Sequence, residues 1–134
     1  MAITGGCLCG RVRYTISGEA TLSAVCHCRN CQRYTGSAFE PIMAFPLEGV
    51  TLEGALQTYD DTADSGRKVH RKFCPNCGSG VLADVDAMQG VRLILVGTLD
   101  DPAIFHPKME IFCTSAQPWI QQPAERQQFE RMPG

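Results

Sequence analysis

Seven of the eight cysteines fall into three tight groups, Cys7 and Cys9, then Cys26, Cys28 and Cys31, then Cys74 and Cys77, and only Cys113 stands alone. A single residue separates Cys26 from Cys28, which makes a mutual disulfide sterically poor, because bridged cysteines need defined separations and side-chain directions. A shared cation accounts for the spacing better. A soft thiolate triplet in a tight turn suits zinc, and three protein ligands leave one tetrahedral position for a water, a thiol or a substrate atom. Chemistry is expected at that open position.

A structural zinc wants four ligands, and two knuckles far apart in sequence supply them well because the cross-link closes a long loop. Cys7, Cys9, Cys74 and Cys77 are therefore assigned to a closed site, and Cys26, Cys28 and Cys31 to an open one. Pro75 and Gly78 complete the knuckle Cys74-Pro75-Asn76-Cys77-Gly78, for which a redox dithiol is the competing explanation. For the triplet the competitors are a reduced surface cluster and an iron–sulfur centre, and a colourless protein would remove the latter. Cys113 reads as a strand-packed apolar thiol rather than an eighth ligand. His27 lies between two ligands, so its side chain should point away from a metal and serve a surface or hydrogen-bonding role. His70 reads as strand packing, and His106 is assigned no role.

These groups need elements to carry them. Val12, Tyr14 and Ile16 alternate with polar residues from Arg11 to Ser17, a half-buried strand. Gly10 lets the chain turn with positive φ behind the second thiolate of its knuckle. Leu22 to Val25 delivers a second strand into the triplet, and Gln32 to Ser37 reads as one helical turn closed by Gly36. Ala38 to Phe45 is extended, with Pro41 arguing for an edge or a bulge. Val50 to Leu52 and Leu56 to Tyr59 read as a hairpin around Glu53-Gly54, Asp60 to Gly66 as a polar loop, and Arg67 to Phe73 and Gly80 to Val85 as strands flanking the Cys74 knuckle. Val91 to Val96 is the most apolar run and should be central; Met109 to Cys113 should be the last strand, with Gln121 to Gly134 contributing little to a core. The expectation is a mainly β protein of antiparallel sheets with little helix, residues 1–134 forming a single zinc-binding domain.

A chain of 134 residues with a net charge of −2 and a pI near 5.9 has no basic run to hold nucleic acid. The N-terminus lacks the basic start and apolar core of a signal peptide, and no run reaches the roughly 18 residues of a membrane span. A cytoplasmic protein is expected, and a reducing cytoplasm favours metal-bound over disulfide-bonded cysteines.

Taken together, Gly6-Cys7-Leu8-Cys9-Gly10 before a strand, Cys26-His27-Cys28-x-x-Cys31-Gln32 leading to Gly36-Ser37-Ala38-Phe39, and Phe73-Cys74-Pro75-Asn76-Cys77-Gly78-Ser79 resemble the glutathione-dependent formaldehyde-activating enzyme family, which also includes centromere protein V. Met109-Glu110-Ile111-Phe112 and Trp119 resemble its closing segment. The resemblance implies a β-tent fold, a structural zinc on Cys7, Cys9, Cys74 and Cys77, and a catalytic zinc on Cys26, Cys28 and Cys31. It also implies carbon–sulfur lyase chemistry, with glutathione as co-substrate joined to formaldehyde or a related small aldehyde.

The chemistry agrees with the residues. A free thiol is only ~3% thiolate at pH 7, and zinc displaces its proton. Zinc could instead polarise the aldehyde oxygen. A thiol bearing carboxylates needs cationic or amide partners, and Arg29, Asn30 and Arg33 beside the triplet are the nearest candidates. The alternative is a non-catalytic zinc-knuckle module for protein or nucleic acid, which the acidic pI disfavours. Glu40 and the acidic pair Asp60-Asp61 find no place in either scheme.

Overall fold

The structure is a computed structural model that describes residues 2–133. Over the described residues it is mainly β, with one α-helix and two sheets. The smaller sheet has the order β1-β2-β5, formed by β1 (Ile3–Gly6), β2 (Arg13–Ile16) and β5 (Val50–Glu53), all antiparallel. The larger sheet has eight strands: β3 (Leu22–Cys26), β4 (Glu40–Pro46), β6 (Gln57–Thr62), β7 (Lys68–Phe73), β8 (Gly80–Val85), β9 (Val91–Leu95), β10 (Met109–Ile111) and β11 (Gln127–Gln128). Their order is β11-β10-β3-β4-β9-β8-β7-β6.

Side-chain alternation divides the work of the large sheet. Met43 and Phe45 on β4, with Leu82 and Ile94, pack with Tyr14 and Ile16 of the small sheet into the main core. On β4 the intervening Ile42 belongs instead to a second cluster with Ala24, Cys26, Cys31 and Ile111. The second cluster is where the triplet sits.

Several elements follow the sequence expectations, including the strand into Cys26, the central position of β9, and the helix end at Gly36. Helix α1 (Arg29–Thr35) starts three residues earlier than expected, capped by the Cys28 side chain, and ends on Gly36 at φ 70° with its N–H bonded to the Gln32 carbonyl.

Others are corrected. The hairpin expected around Glu53-Gly54 does not form, because β5 pairs with β2 in the small sheet whereas β6 pairs with β7 in the large one. Gly54, at φ 92°, is the crossing point, and a Cβ there would lie 2.2 Å from the Arg11 carbonyl oxygen. Asp60 and Asp61 lie in β6 rather than in a loop, and the turn is confined to the residues around Gly66. Pro41 is in an interior strand, yet the β4–β9 ladder begins only at Ile42, so the missing N–H faces no partner on that side. The sheet is also not wholly antiparallel, since β10 runs parallel to both β3 and β11. Strand β10 stops at Ile111, two residues short of Cys113, and the polar end supplies β11 and packs Phe129 onto the second cluster.

Candidate metal centres

Two knuckles meet at the first centre. Cys7 and Cys9 bracket a turn between β1 and β2, and Cys74 and Cys77 bracket one between β7 and β8. The four sulfurs lie within 4.8 Å of one another, with Cys7 Sγ to Cys9 Sγ at 3.6 Å and Cys9 Sγ to Cys74 Sγ at 3.8 Å. Tetrahedral zinc with Zn–S bonds of about 2.3 Å needs sulfurs about 3.8 Å apart, so the donor set fits. Backbone amides point at the sulfurs, from Val12 to Cys7 at 3.2 Å and from Asn76 and Cys77 to Cys74 at 3.4 and 3.5 Å. Gly10 takes φ 84° immediately after its knuckle, the left-handed turn expected there, and Gly78 takes φ 78° in the same place after the other. The Leu8 N–H also donates to Ser79 Oγ at 3.0 Å, which ties one knuckle to the other. The Ser79 hydroxyl, followed by its backbone, lowers the Cys77 thiol to about 5.

The second centre holds three sulfurs. Cys26 ends β3, Cys28 caps α1, and Cys31 lies in the first turn of that helix, so a strand end and a helix start bring them within 4.8 Å. Cys31 Sγ is 3.5 Å from Cys26 Sγ, and the Cys31 N–H donates to Cys28 Sγ at 3.2 Å. Hydrogen bonds from the Cys26 and Cys31 thiols hold Cys28 down to about 3, whereas the contacts of Cys31 with Cys26 and then Cys28 push the Cys31 thiol up. Three clustered thiols ionise together only beside a cation, and a soft divalent metal supplies one. Each cysteine cluster could thus hold zinc, and Cys113 lies outside both, its thiol directed at the Glu110 carbonyl and Gln122 Oε1.

The triplet lines a cavity of about 450 Å³ on the face of the large sheet turned away from the main core. The wall follows strand alternation, with Glu40 and Ile42 of β4, Ala83 and Val85 of β8, and Val69 and Arg71 of β7 all facing inward. Glu40 is placed by register, directly across from Cys26. It is 5% exposed; Oε2 accepts from the Cys31 thiol at 3.3 Å, and Oε1 has no hydrogen-bond partner. Burial pushes its carboxyl above the ordinary range, with Arg71 opposing. Glu40 stays outside the set of mutually close donor atoms, which ends at three sulfurs.

Arg71 ties the pieces together. Its Nη2 is 3.9 Å from Cys31 Sγ, its Nη1 is 3.8 Å from Glu40 Oε1, its Nε donates to Asp61 at 3.0 Å, and its guanidinium lies over the Tyr34 ring at 4.9 Å. Asp61 also accepts from Asn30 Nδ2 at 3.1 Å, anchoring the start of α1.

Sequence reasoning left Glu40 and Asp61 unplaced and did not single out Arg71. The one available signal was a charged residue, Glu40 or Arg71, inside a run otherwise read as a strand; Asp61 fell in the stretch read as a polar loop.

Of the residues considered for substrate contact, Arg29 and Asn30 line the cavity; Arg29 also donates to Gln32 Oε1. Arg33 is exposed and is not among the lining residues. His27 is fully buried rather than on the surface. Its hydrogen-bonding role is clear: Nε2 pairs with Glu110 Oε1 at 2.7 Å, and Arg126 donates to Glu110 Oε2 at 2.8 Å. His70 does more than pack, bridging Asp60 at 2.6 Å and Asp86 at 2.8 Å. Among the described residues no helix is long and apolar enough to cross a membrane.

A family model described as glutathione-dependent formaldehyde-activating enzyme matches residues 2–115. A crystal structure of a Rhodobacter sphaeroides protein superposes with a TM-score of 0.58 at 20% identity, covering 72% of this chain and 87% of the other, a likeness of fold. No curated protein matches the sequence significantly.

Proposed function

The chain belongs to the glutathione-dependent formaldehyde-activating enzyme family, and from that premise we propose that it is a zinc-dependent carbon–sulfur lyase joining glutathione, or a related small thiol, to formaldehyde or a related small aldehyde. The S–H bond of the thiol breaks, a sulfur–carbon bond forms at the carbonyl carbon, and the proton ends on the former carbonyl oxygen. Nothing is oxidised or reduced. The observation that carries this is the inequality of the two cysteine clusters, four sulfurs in one and three in the other, with the three lining a cavity.

Zinc held by Cys26, Cys28 and Cys31 would supply a thiolate at neutral pH or a Lewis acid for the aldehyde oxygen. Zinc on Cys7, Cys9, Cys74 and Cys77 would be structural. Around the open site, Ile42, Val69 and Val85 supply apolar wall. The free Oε1 of Glu40 offers an acceptor for the hydroxyl of the adduct, and Arg71 keeps that carboxylate beside Cys31. Arg29 and Asn30 are proposed contacts for the thiol's carboxylates, with Arg33 one turn further along α1. Residues 1–134 would act as one domain in the cytoplasm, where the thiols stay reduced.

The test is exchange spectroscopy by NMR on ¹³C-formaldehyde and glutathione with the zinc-loaded protein. Adduct formation should exceed the spontaneous rate and return to it in Cys28→Ser. A rate equal to the spontaneous one, with no calorimetric binding of glutathione or any related thiol, would leave the non-catalytic zinc-knuckle module as the better account.

A further inference from the structure

The match to the family ends at residue 115, yet the cavity wall does not. Arg131 and Met132 line the cavity, and the backbone leading to them is tied down. Strand β11 pairs with β10, the Phe129 N–H donates to the Glu110 carbonyl at 2.9 Å, and the Cys113 N–H donates to the Phe129 carbonyl at 3.0 Å. Arg126 anchors the same segment through Glu110, whose other oxygen holds His27 between two of the triplet cysteines.

Phe112 shows how closely the segment is built into the cavity. It is the one non-glycine with positive φ among the described residues, at φ 55° and ψ 42°, a conformation an aromatic residue adopts only when its surroundings compel it. Its N–H donates to the Arg131 carbonyl at 3.2 Å, and Phe112 itself lines the cavity. The strained turn therefore holds the backbone of Arg131, an exposed residue of the cavity lining.

Cationic side chains outnumber anionic ones in the cavity lining. Arg29, Arg67, Arg71 and Arg131 line the cavity against only two carboxylates, Glu40 and Asp64, on a chain whose net charge is −2. Arg71 is committed to Glu40 and Asp61, whereas Arg131 is exposed and enters no ion pair among the described residues. A cationic lining beside an apolar wall suits a ligand with an anionic end and a small reacting end.

Resting on the function proposed above, we propose that Arg131 is a specificity-determining residue. Carried by a segment beyond the family match, it selects thiols that bear a carboxylate remote from the sulfur. The test compares the zinc-loaded wild type, Arg131→Gln and Arg131→Lys, with glutathione and its diethyl ester as the thiols. Arg131→Gln should raise KM for glutathione about tenfold with kcat unchanged, the size of one partly exposed charge-assisted hydrogen bond. Arg131→Lys should recover most of the loss, the ester should show the same KM with all three proteins, and calorimetric Kd values for glutathione should follow the same ratios. An unaltered KM in Arg131→Gln, or an equal rise for the ester, overturns the proposal while the wild type still turns over. A wild type that saturates with no thiol overturns the underlying function and the proposal with it.

Discussion

Severing the long-range cross-link should cost the fold far more than opening the triplet. In the double variant Cys74→Ser, Cys77→Ser the far knuckle is lost, releasing a loop whose ends, Cys9 and Cys74, are 65 residues apart in sequence. Chain-entropy arithmetic for a cross-link of that span gives about 4 kcal/mol, against about 2 kcal/mol for the five-residue separation of Cys26 and Cys31. A domain of this size is stable by only about 5–15 kcal/mol, so the double variant should melt about 15 °C lower or fail to fold. Cys28→Ser should keep its fold with zinc content falling from about two per chain to about one. The assay is thermal unfolding by circular dichroism beside metal analysis of the same samples. Equal loss of stability in the two variants would refute the division into a structural and an open site.

Replacing Arg71 by Met leaves Glu40 and Asp61 without their cation in side-chain environments that are 6% and 19% exposed, and should cost about 3 kcal/mol in urea unfolding; Glu40→Gln should cost much less. Gly80→Ala puts a Cβ within 2.7 Å of the Tyr34 ring, so it should destabilise by about 1–2 kcal/mol, with the lost packing of Tyr34 on Arg71 visible in the NMR shifts of the ring. His70, hydrogen-bonded by Asp60 and then Asp86, titrates above its ordinary value of 6.5. Its stabilising contribution is full below that value and is lost as pH rises through the raised one, so stability followed by denaturant titration should fall over that window in the wild type and not in His70→Gln.

What the sequence made legible was local. The cysteine spacings, Gly10 and Gly78 behind their knuckles, Gly36 at the helix end and the alternation of Val12, Tyr14 and Ile16 each report on a few neighbouring residues, and each element formed. What was hidden depends on pairing between distant strands. Gly54 looks like a hairpin glycine until Arg11, far away in sequence, occupies the space a side chain would need. Glu40 becomes part of the site only because β4 pairs with β3 in a register that sets it opposite Cys26. Arg71 reaches the same cavity across two intervening strands, β9 and β8. His27 was judged from its position between ligands, but its burial is decided by Glu110 and Arg126, which belong to the other end of the chain.

The parallel placement of β10 against β3 bears on how the protein is made. As the nascent chain leaves the ribosome, β3 and its antiparallel neighbour β4 can pair early, but the other side of β3 stays bare until residues 109–111 have emerged. Its amides and carbonyls, next to three unprotected thiols, are then open to a second copy or to a chaperone. That exposure ends only when β10 has docked along β3.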